Sequence, residues 1–213
     1  MSAGGNPVIR VHHLAHSRSQ RILWLLEELG PDYEIVRYER DPRTRLAPPA
    51  LRVLHPLGKS PVVEIDGRTI AESGAIVEHL CERFGPHLLP ERGTDDEIEH
   101  REWMHFAEGS AMTPILLNLY AGRLGDAAEP IMPRIREQLA SHFAFMEQGL
   151  RPSGHYVLDG LSAADIMLSF PAEVAVQGGH AENLPRLLAF VKAIHARAAW
   201  QRALERGGPY AFA

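Results

Sequence analysis

One stretch constrains this chain more than any other. It runs Gly58-Lys59-Ser60-Pro61-Val62-Val63-Glu64-Ile65 and continues, after Asp66-Gly67-Arg68-Thr69-Ile70, into Ala71-Glu72-Ser73-Gly74-Ala75-Ile76. Pro61 removes a backbone donor and confines its own φ, so it belongs at the first residue of a strand or on an edge. An edge strand can pair with an extended peptide through its backbone alone. A cis bond between Ser60 and Pro61, uncommon even before proline, would turn the N–H and C=O of Ser60 outward together. Asp66-Gly67, set between two strand-like runs, reads as a hairpin turn. Ser73 suits the N-cap of an apolar helix carrying Ala75, Ile76, Val77 and Leu80. The open N–H groups of such a helix start favour a carboxylate or phosphate, and Glu72 beside them offers an acceptor to an amine. A hairpin or a capped helix alone is commonplace. Joined at this spacing they describe a site for a small zwitterionic peptide.

The chain before this stretch predicts a βαβ unit. Val8 to His12 reads as a strand, Leu14 to Ser19 as a polar turn, and Ile22, Leu23, Leu25, Leu26 and Leu29 as a helix stopped by Gly30-Pro31. Tyr33 to Tyr38 is a second strand, so the crossover should be right-handed and the two strands parallel. Pro49 opens a short helix to about Leu54, and His55-Pro56-Leu57-Gly58 is a loop delivering the chain to Pro61. With a helix from Ser73 to about Phe84, the order β-α-β-α-β-β-α implies a small mixed sheet covered by helices.

Gly85 to Gly93, rich in proline and glycine, is the expected domain boundary. Beyond it the pattern becomes helical. A long helix starts at Thr94 or Asp95, breaks or bends at Pro114 and runs to about Tyr120. Another spans Ala127 to Gly149, with Ile131, Ile135, Leu139, Phe143 and Met146 on one face. Ser162 and Asp165 form a capping-box pattern before a buried helix interrupted at Pro171, and a last helix begins at Asn183 or Pro185 and passes through Ile194.

The chain has 213 residues, enough for one large or two small domains. A net charge of −5 without a basic run argues against nucleic acid. No apolar run reaches membrane-spanning length, and Met1 to Pro7 lacks the basic start and apolar core of a secretion signal. The expected location is therefore cytoplasmic, without membrane insertion. The single cysteine, Cys81, excludes an internal disulfide and a cysteine-based metal cluster, and reads as an inert core residue. The histidines show no ligand spacing, so no metal is expected.

Four features carry a family resemblance: Ser17-Arg18-Ser19-Gln20-Arg21 in the βαβ turn, Gly58-Lys59-Ser60-Pro61, Glu72-Ser73, and Ser162 to Asp165 opening a buried helix. Together they resemble the cytosolic glutathione transferases, and Leu26-Glu27-Glu28-Leu29-Gly30 resembles their bacterial and fungal members. The resemblance spans nearly the whole chain. It implies an α/β, thioredoxin-like N-terminal domain with a mixed four-stranded sheet over residues 1–86, binding glutathione. It further implies an all-α C-terminal helical domain over residues 94–213, carrying the electrophile site, and a homodimer formed through the Ser73–Phe84 helix and the start of the long helix. Glutathione is then a co-substrate, with no permanently bound cofactor.

By the same resemblance, Ser60 pairs its backbone with the cysteinyl unit, Pro61 is the cis-proline, Glu72 and Ser73 hold the γ-glutamyl end, and Lys59 lies near the glycine carboxylate. Ser17 matches the hydroxyl of serine-type members, with Ser19 as runner-up. Arg18 stands where cysteine-type members place their thiol, so a cysteine-dependent mechanism is not expected. Met104, His105 and Met112 are candidates for contact with a small hydrophobic electrophile between the two halves.

The chemistry sets an energetic demand. The thiolate is the nucleophile, and a free thiol has a pKa of about 8.5. Lowering it by about two units requires roughly 2.7 kcal/mol of preferential thiolate binding. A hydroxyl donor supplies about 1.5–3 kcal/mol, and a helix start about 0.3–1 kcal/mol. The expected activity is conjugation of the glutathione thiolate to hydrophobic electrophiles, in the manner of a detoxification enzyme. Isomerase (maleylacetoacetate isomerase-like), peroxidase and dehalogenase activities would keep the same glutathione site. A non-catalytic binding module on this scaffold is the alternative of another class.

Overall fold

The computed structural model describes residues 8–213, so the expectation about Met1–Pro7 lies outside the described residues. By their contacts the residues form two compact units. One holds the chain up to Pro86 together with His195–Ala211, and the other holds His87–Ile194. Of the residues 94–213 expected to form the helical domain, 195–211 cluster with the first unit.

The first unit is built on four strands: β1 (Ile9–Leu14), β2 (Tyr33–Tyr38), β3 (Val62–Ile65) and β4 (Arg68–Ala71). They lie in the order β2-β1-β3-β4. β1 and β2 are parallel, as a βαβ unit requires, while β3 is antiparallel to both β1 and β4. The hairpin between β3 and β4 turns on Asp66 (φ 49°) and Gly67 (φ 79°), the two positive-φ positions that Asp-Gly accepts at low cost. β3 is an interior strand, which corrects the expectation of an edge. Its ladders to β1 and β4 both begin at Val62, so the backbone of Ser60 lies just beyond the last paired residue.

Helices α1 (Gln20–Leu29), α2 (Leu51–Leu54) and α3 (Ser73–Phe84) belong to the same unit. α1 ends on Gly30 in the left-handed region, with its N–H on the Leu26 carbonyl. Ile22 to Leu26 are all fully buried, because α1 is covered on more than one side. One cover comes from the C-terminal end of the chain, where a helix over Ala198–Gly207 packs on α1. Trp24 meets Trp200 edge to face, with ring centroids 5.4 Å apart. Arg202 and Arg206 both donate to the Glu27 carboxylate, at 2.8 and 2.7 Å.

The second unit is helical. It contains α4 (Asp95–His105), α5 (Met112–Ala121), α6 (Met132–Gly149), α7 (Ala163–Ala175) and α8 (Pro185–His195), the last residue of which falls in the first unit, making Ala198–Gly207 α9. Thr94 caps α4, accepting from the Glu97 N–H. The expected break at Pro114 falls earlier: residues Phe106–Ala111 form a π-helical segment between α4 and α5. Proline cannot donate to the fourth carbonyl behind it and crowds that carbonyl, and one wide turn upstream relieves both problems. Thr113 Oγ1 satisfies the Gly109 carbonyl at 2.8 Å. On α6 the face of Ile135, Leu139, Phe143 and Met146 is buried as expected, but Ile131 precedes the helix and is half exposed. α7 continues through Pro171 rather than stopping there, and a π segment, Val176–His180, follows its end. The capping box is present: Ser162 N–H donates to Asp165 Oδ2 at 2.7 Å, and Ser162 Oγ accepts from the Asp165 N–H. Among the described residues no helix is long and apolar enough to cross a membrane.

Candidate active site

The site grows from the C-terminal end of β1. Leu14 closes that strand, and the chain turns through His16 (φ 53°) and Ser17 into α1. Ser19 occupies the N-cap position of α1, yet its side chain does not cap the helix. Its Oγ lies 2.8 Å from Ser17 Oγ and 2.8 Å from His13 Nδ1. The Ser19 N–H donates to Ser17 Oγ at 3.2 Å. All three residues are buried.

The amide of Leu14 ties this turn to the proline segment. It donates both to Ser19 Oγ and to Ser60 Oγ, each at 3.3 Å. Ser60 Oγ in turn donates to the His12 carbonyl at 2.8 Å. The Ser60–Pro61 bond is cis. Ser60 and Pro61 are buried and Lys59 is exposed. A third link reaches the start of α3, where Arg21 Nη2 donates to Ser73 Oγ at 3.3 Å. Arg21 is 1 % exposed, so this is a buried cation between two helix starts.

At α3 the cap differs from the expected one. Glu72, not Ser73, is the N-cap residue, and Ser73 is the first residue of the helix. Glu72 stands at φ 71°, a conformation that costs a non-glycine residue about 1–3 kcal/mol and is found where surrounding structure imposes it for a purpose. Its side chain is exposed, and its carbonyl accepts from the Ile76 N–H. The acid is therefore held out toward solvent beside the open N–H groups of α3.

The structure thus links Ser17, Ser19 and Ser60 through one buried set of hydrogen bonds about the Leu14 amide, holds Ser73 through Arg21, and leaves Glu72 and Lys59 exposed. Met104, His105 and Met112 are placed differently. Met104 ends the buried face of α4 and Met112 opens α5 as a core residue, while His105 is exposed. Cys81 is fully buried on α3, and burial, with Glu78 and Glu82 nearby, pushes its thiol up to about 12.

Sequence reasoning missed His13. Two adjacent histidines in a strand should point to opposite faces, and nothing in the pattern marks one as a partner for Ser19. In the fold both are buried. Burial first, then the nearby Arg37 guanidinium, lowers the His13 ring to about 4, so it is neutral near pH 7.

The chain resembles known proteins over most of its length. Residues 6–82 match the family model described as "Glutathione S-transferase, N-terminal domain". Glutathione S-transferase 1 of Saccharomyces cerevisiae is 32 % identical, over 94 % of this chain and 95 % of that protein. Glutathione S-transferase 3 of Schizosaccharomyces pombe is 39 % identical, over 77 % of this chain and 73 % of that protein. Among solved structures, a glutathione S-transferase from Actinobacillus pleuropneumoniae superposes with a TM-score of 0.86 at 32 % identity, covering 96 % of this chain and 95 % of that one.

Proposed function

The chain belongs to the glutathione S-transferase family, and from that premise we propose that it conjugates the glutathione thiolate to hydrophobic electrophiles. The observation that carries this reading at the level of the site is the shared Leu14 amide, which joins the hydroxyl turn to the segment before Pro61 at one end of β1. A peptide lying along the Ser60 backbone has its middle residue beside that turn. Its cysteinyl N–H and C=O meet the backbone of Ser60, which lies just beyond the last paired residue of β3. The γ-glutamyl carboxylate meets the Ser73 N–H and hydroxyl at the start of α3, where the helix dipole favours an anion, and its amine meets Glu72. Lys59 serves the glycine carboxylate as an exposed cation.

Ser17 donates a hydrogen bond to the sulfur and stabilises the thiolate. The thiol proton leaves to solvent, the sulfur forms a bond to the electrophilic carbon, and the leaving group departs with the bonding electrons. The electrophile is taken up by the helical unit, for which Met104, His105 and Met112 remain the candidates. A serine-type, cytoplasmic, homodimeric enzyme with a role in detoxification fits this reading, with glutathione as co-substrate.

The test is calorimetric titration with glutathione and S-hexylglutathione, followed by turnover of an activated aryl halide. Binding of both and formation of the thioether are expected. Heat of binding without thioether formation would leave a glutathione-binding module, and no heat with either ligand would remove the glutathione reading altogether.

A further inference from the structure

The hydroxyl that faces the sulfur in this reading is one end of a buried chain. Ser17 Oγ, Ser19 Oγ and His13 Nδ1 are joined by two contacts of 2.8 Å each. Contacts this short each hold one proton. Ser19 owns a single hydroxyl proton and can fill only one of them. Ser19 is fully buried and His13 is 2 % exposed, so water does not supply the other.

Proton counting then decides the direction. Once Ser17 points its proton at a thiolate, Ser17 Oγ is an acceptor on its inner side. The contact between the serines must be filled by Ser19. The contact between Ser19 and the ring must then be filled by an N–H on Nδ1. In the opposite arrangement Ser17 donates inward to Ser19, and Ser19 donates to the ring or to the Leu14 carbonyl at 3.3 Å, which withholds the proton from the sulfur. We propose that His13 is a positioning residue whose Nδ1–H, acting through Ser19, directs the Ser17 hydroxyl proton outward to the bound thiolate. The proposal rests on Ser17 being the thiolate's donor.

The surroundings of the ring set the cost of this tautomer. Nε2 is buried, and the Gly207 backbone on α9 lies beside it and favours a proton on the ring. With the ring's one proton on Nδ1, Nε2 faces the Gly207 backbone as a lone pair, so it is the serine chain and not the far side of the ring that selects Nδ1–H. The charged and titratable groups facing the ring are Arg37 on β2 and His16 in the turn, and both disfavour a second proton.

The experiment measures absorbance of the bound glutathione thiolate against pH, with kcat and KM, for the full chain and four variants. In Ser19→Ala and His13→Leu the apparent thiol pKa should rise by about 0.5–1 unit, which is about 3- to 10-fold less thiolate below the pKa. kcat/KM at pH 6.5 should fall in proportion, with KM for glutathione changed by less than about 2-fold, as expected when binding is kept and thiolate stabilisation is lost. His13→Asn, whose side-chain N–H can replace Nδ1–H, should recover most of the shift. A merely structural role would not distinguish asparagine from leucine. If Ser17→Ala raises the thiol pKa while Ser19→Ala and His13→Leu leave it unchanged, or if asparagine and leucine act alike, the relay is wrong and the Ser17 reading stands. If Ser17→Ala itself leaves the pKa unchanged, the Ser17 reading fails and the relay with it. Should His13→Leu not fold, Ser19→Ala decides alone.

Discussion

Ser60 Oγ donates to the carbonyl of His12 across 2.8 Å, tying the residue before Pro61 to the strand that leads into the serine turn. The same oxygen accepts from the Leu14 N–H, so one hydroxyl serves both ends of a two-residue step along β1. Ser60→Ala removes both contacts inside a site shielded from water. It should lower unfolding free energy by about 1–2 kcal/mol, read as a lower urea midpoint with an unchanged slope.

Ser17→Ala removes the proposed donor to the thiolate. Loss of a hydrogen bond to a charged group, worth about 1.5–3 kcal/mol, corresponds to a rise of about 1–2 units in the apparent pKa of bound glutathione. The pH profile of kcat/KM should move to higher pH by the same amount, measured with an aryl halide between pH 5.5 and 9. A profile that stays in place would remove Ser17 from the chemistry.

His13 makes the fold sensitive to mild acid. Burial and Arg37 lower its folded-state value from 6.5 to about 4. Between those limits the unfolded chain binds a proton that the folded chain does not. The contribution is therefore fully present above pH 6.5 and is lost as pH falls toward 4, by up to about 3 kcal/mol at about 1.4 kcal/mol per unit. His13→Asn should flatten the stability curve across that interval, measured by denaturant melts at half-unit steps.

Glu27 acts lower on the pH scale. Burial alone would raise its carboxyl, but hydrogen bonds from Arg202, Tyr33 and Arg206 outweigh burial and hold it below its ordinary value of 4.5. Stability from this contact is present above 4.5 and is lost as pH falls through the lowered folded-state value. Glu27→Gln should reduce stability at pH 7 by about 1–3 kcal/mol and make the loss of stability below pH 4.5 shallower. Hydrogen exchange should show the amides of α9 opening more readily in this variant.

Gly207 sits where α9 comes against α1. A Cβ there would approach Leu23 Cδ1 to 2.8 Å and Gln20 Oε1 to 3.0 Å. Leu23 and Gln20 are both fully buried, so Gly207→Ala forces a shift in packed side chains and should cost about 1–3 kcal/mol. Adding Leu23→Val, which trims the leucine arm nearest the clash, should return part of that loss. Equal stability of Gly207→Ala and the parent chain would mean that the end of α9 moves freely.

Local chemistry determined much of this protein. The Asp66-Gly67 turn, the Gly30 stop, the Ser162–Asp165 capping box and the parallel pair β1–β2 were all legible because each depends on residues close in the chain, or on a handedness rule that holds for any βαβ unit. Pro61 and the serines could be singled out for the same reason. What the tertiary structure decided is which distant groups meet. β3 becomes interior because β1 and β4 flank it, which no property of Val62–Ile65 announces. α9 covers α1 although Arg202 lies 175 residues beyond Glu27. His13 becomes part of the serine turn only when the start of α1 brings Ser19 to one ring nitrogen and the end of α9 brings Gly207 beside the other. Such pairings are set by burial and by long-range hydrogen bonds, and these leave no periodic trace in the sequence.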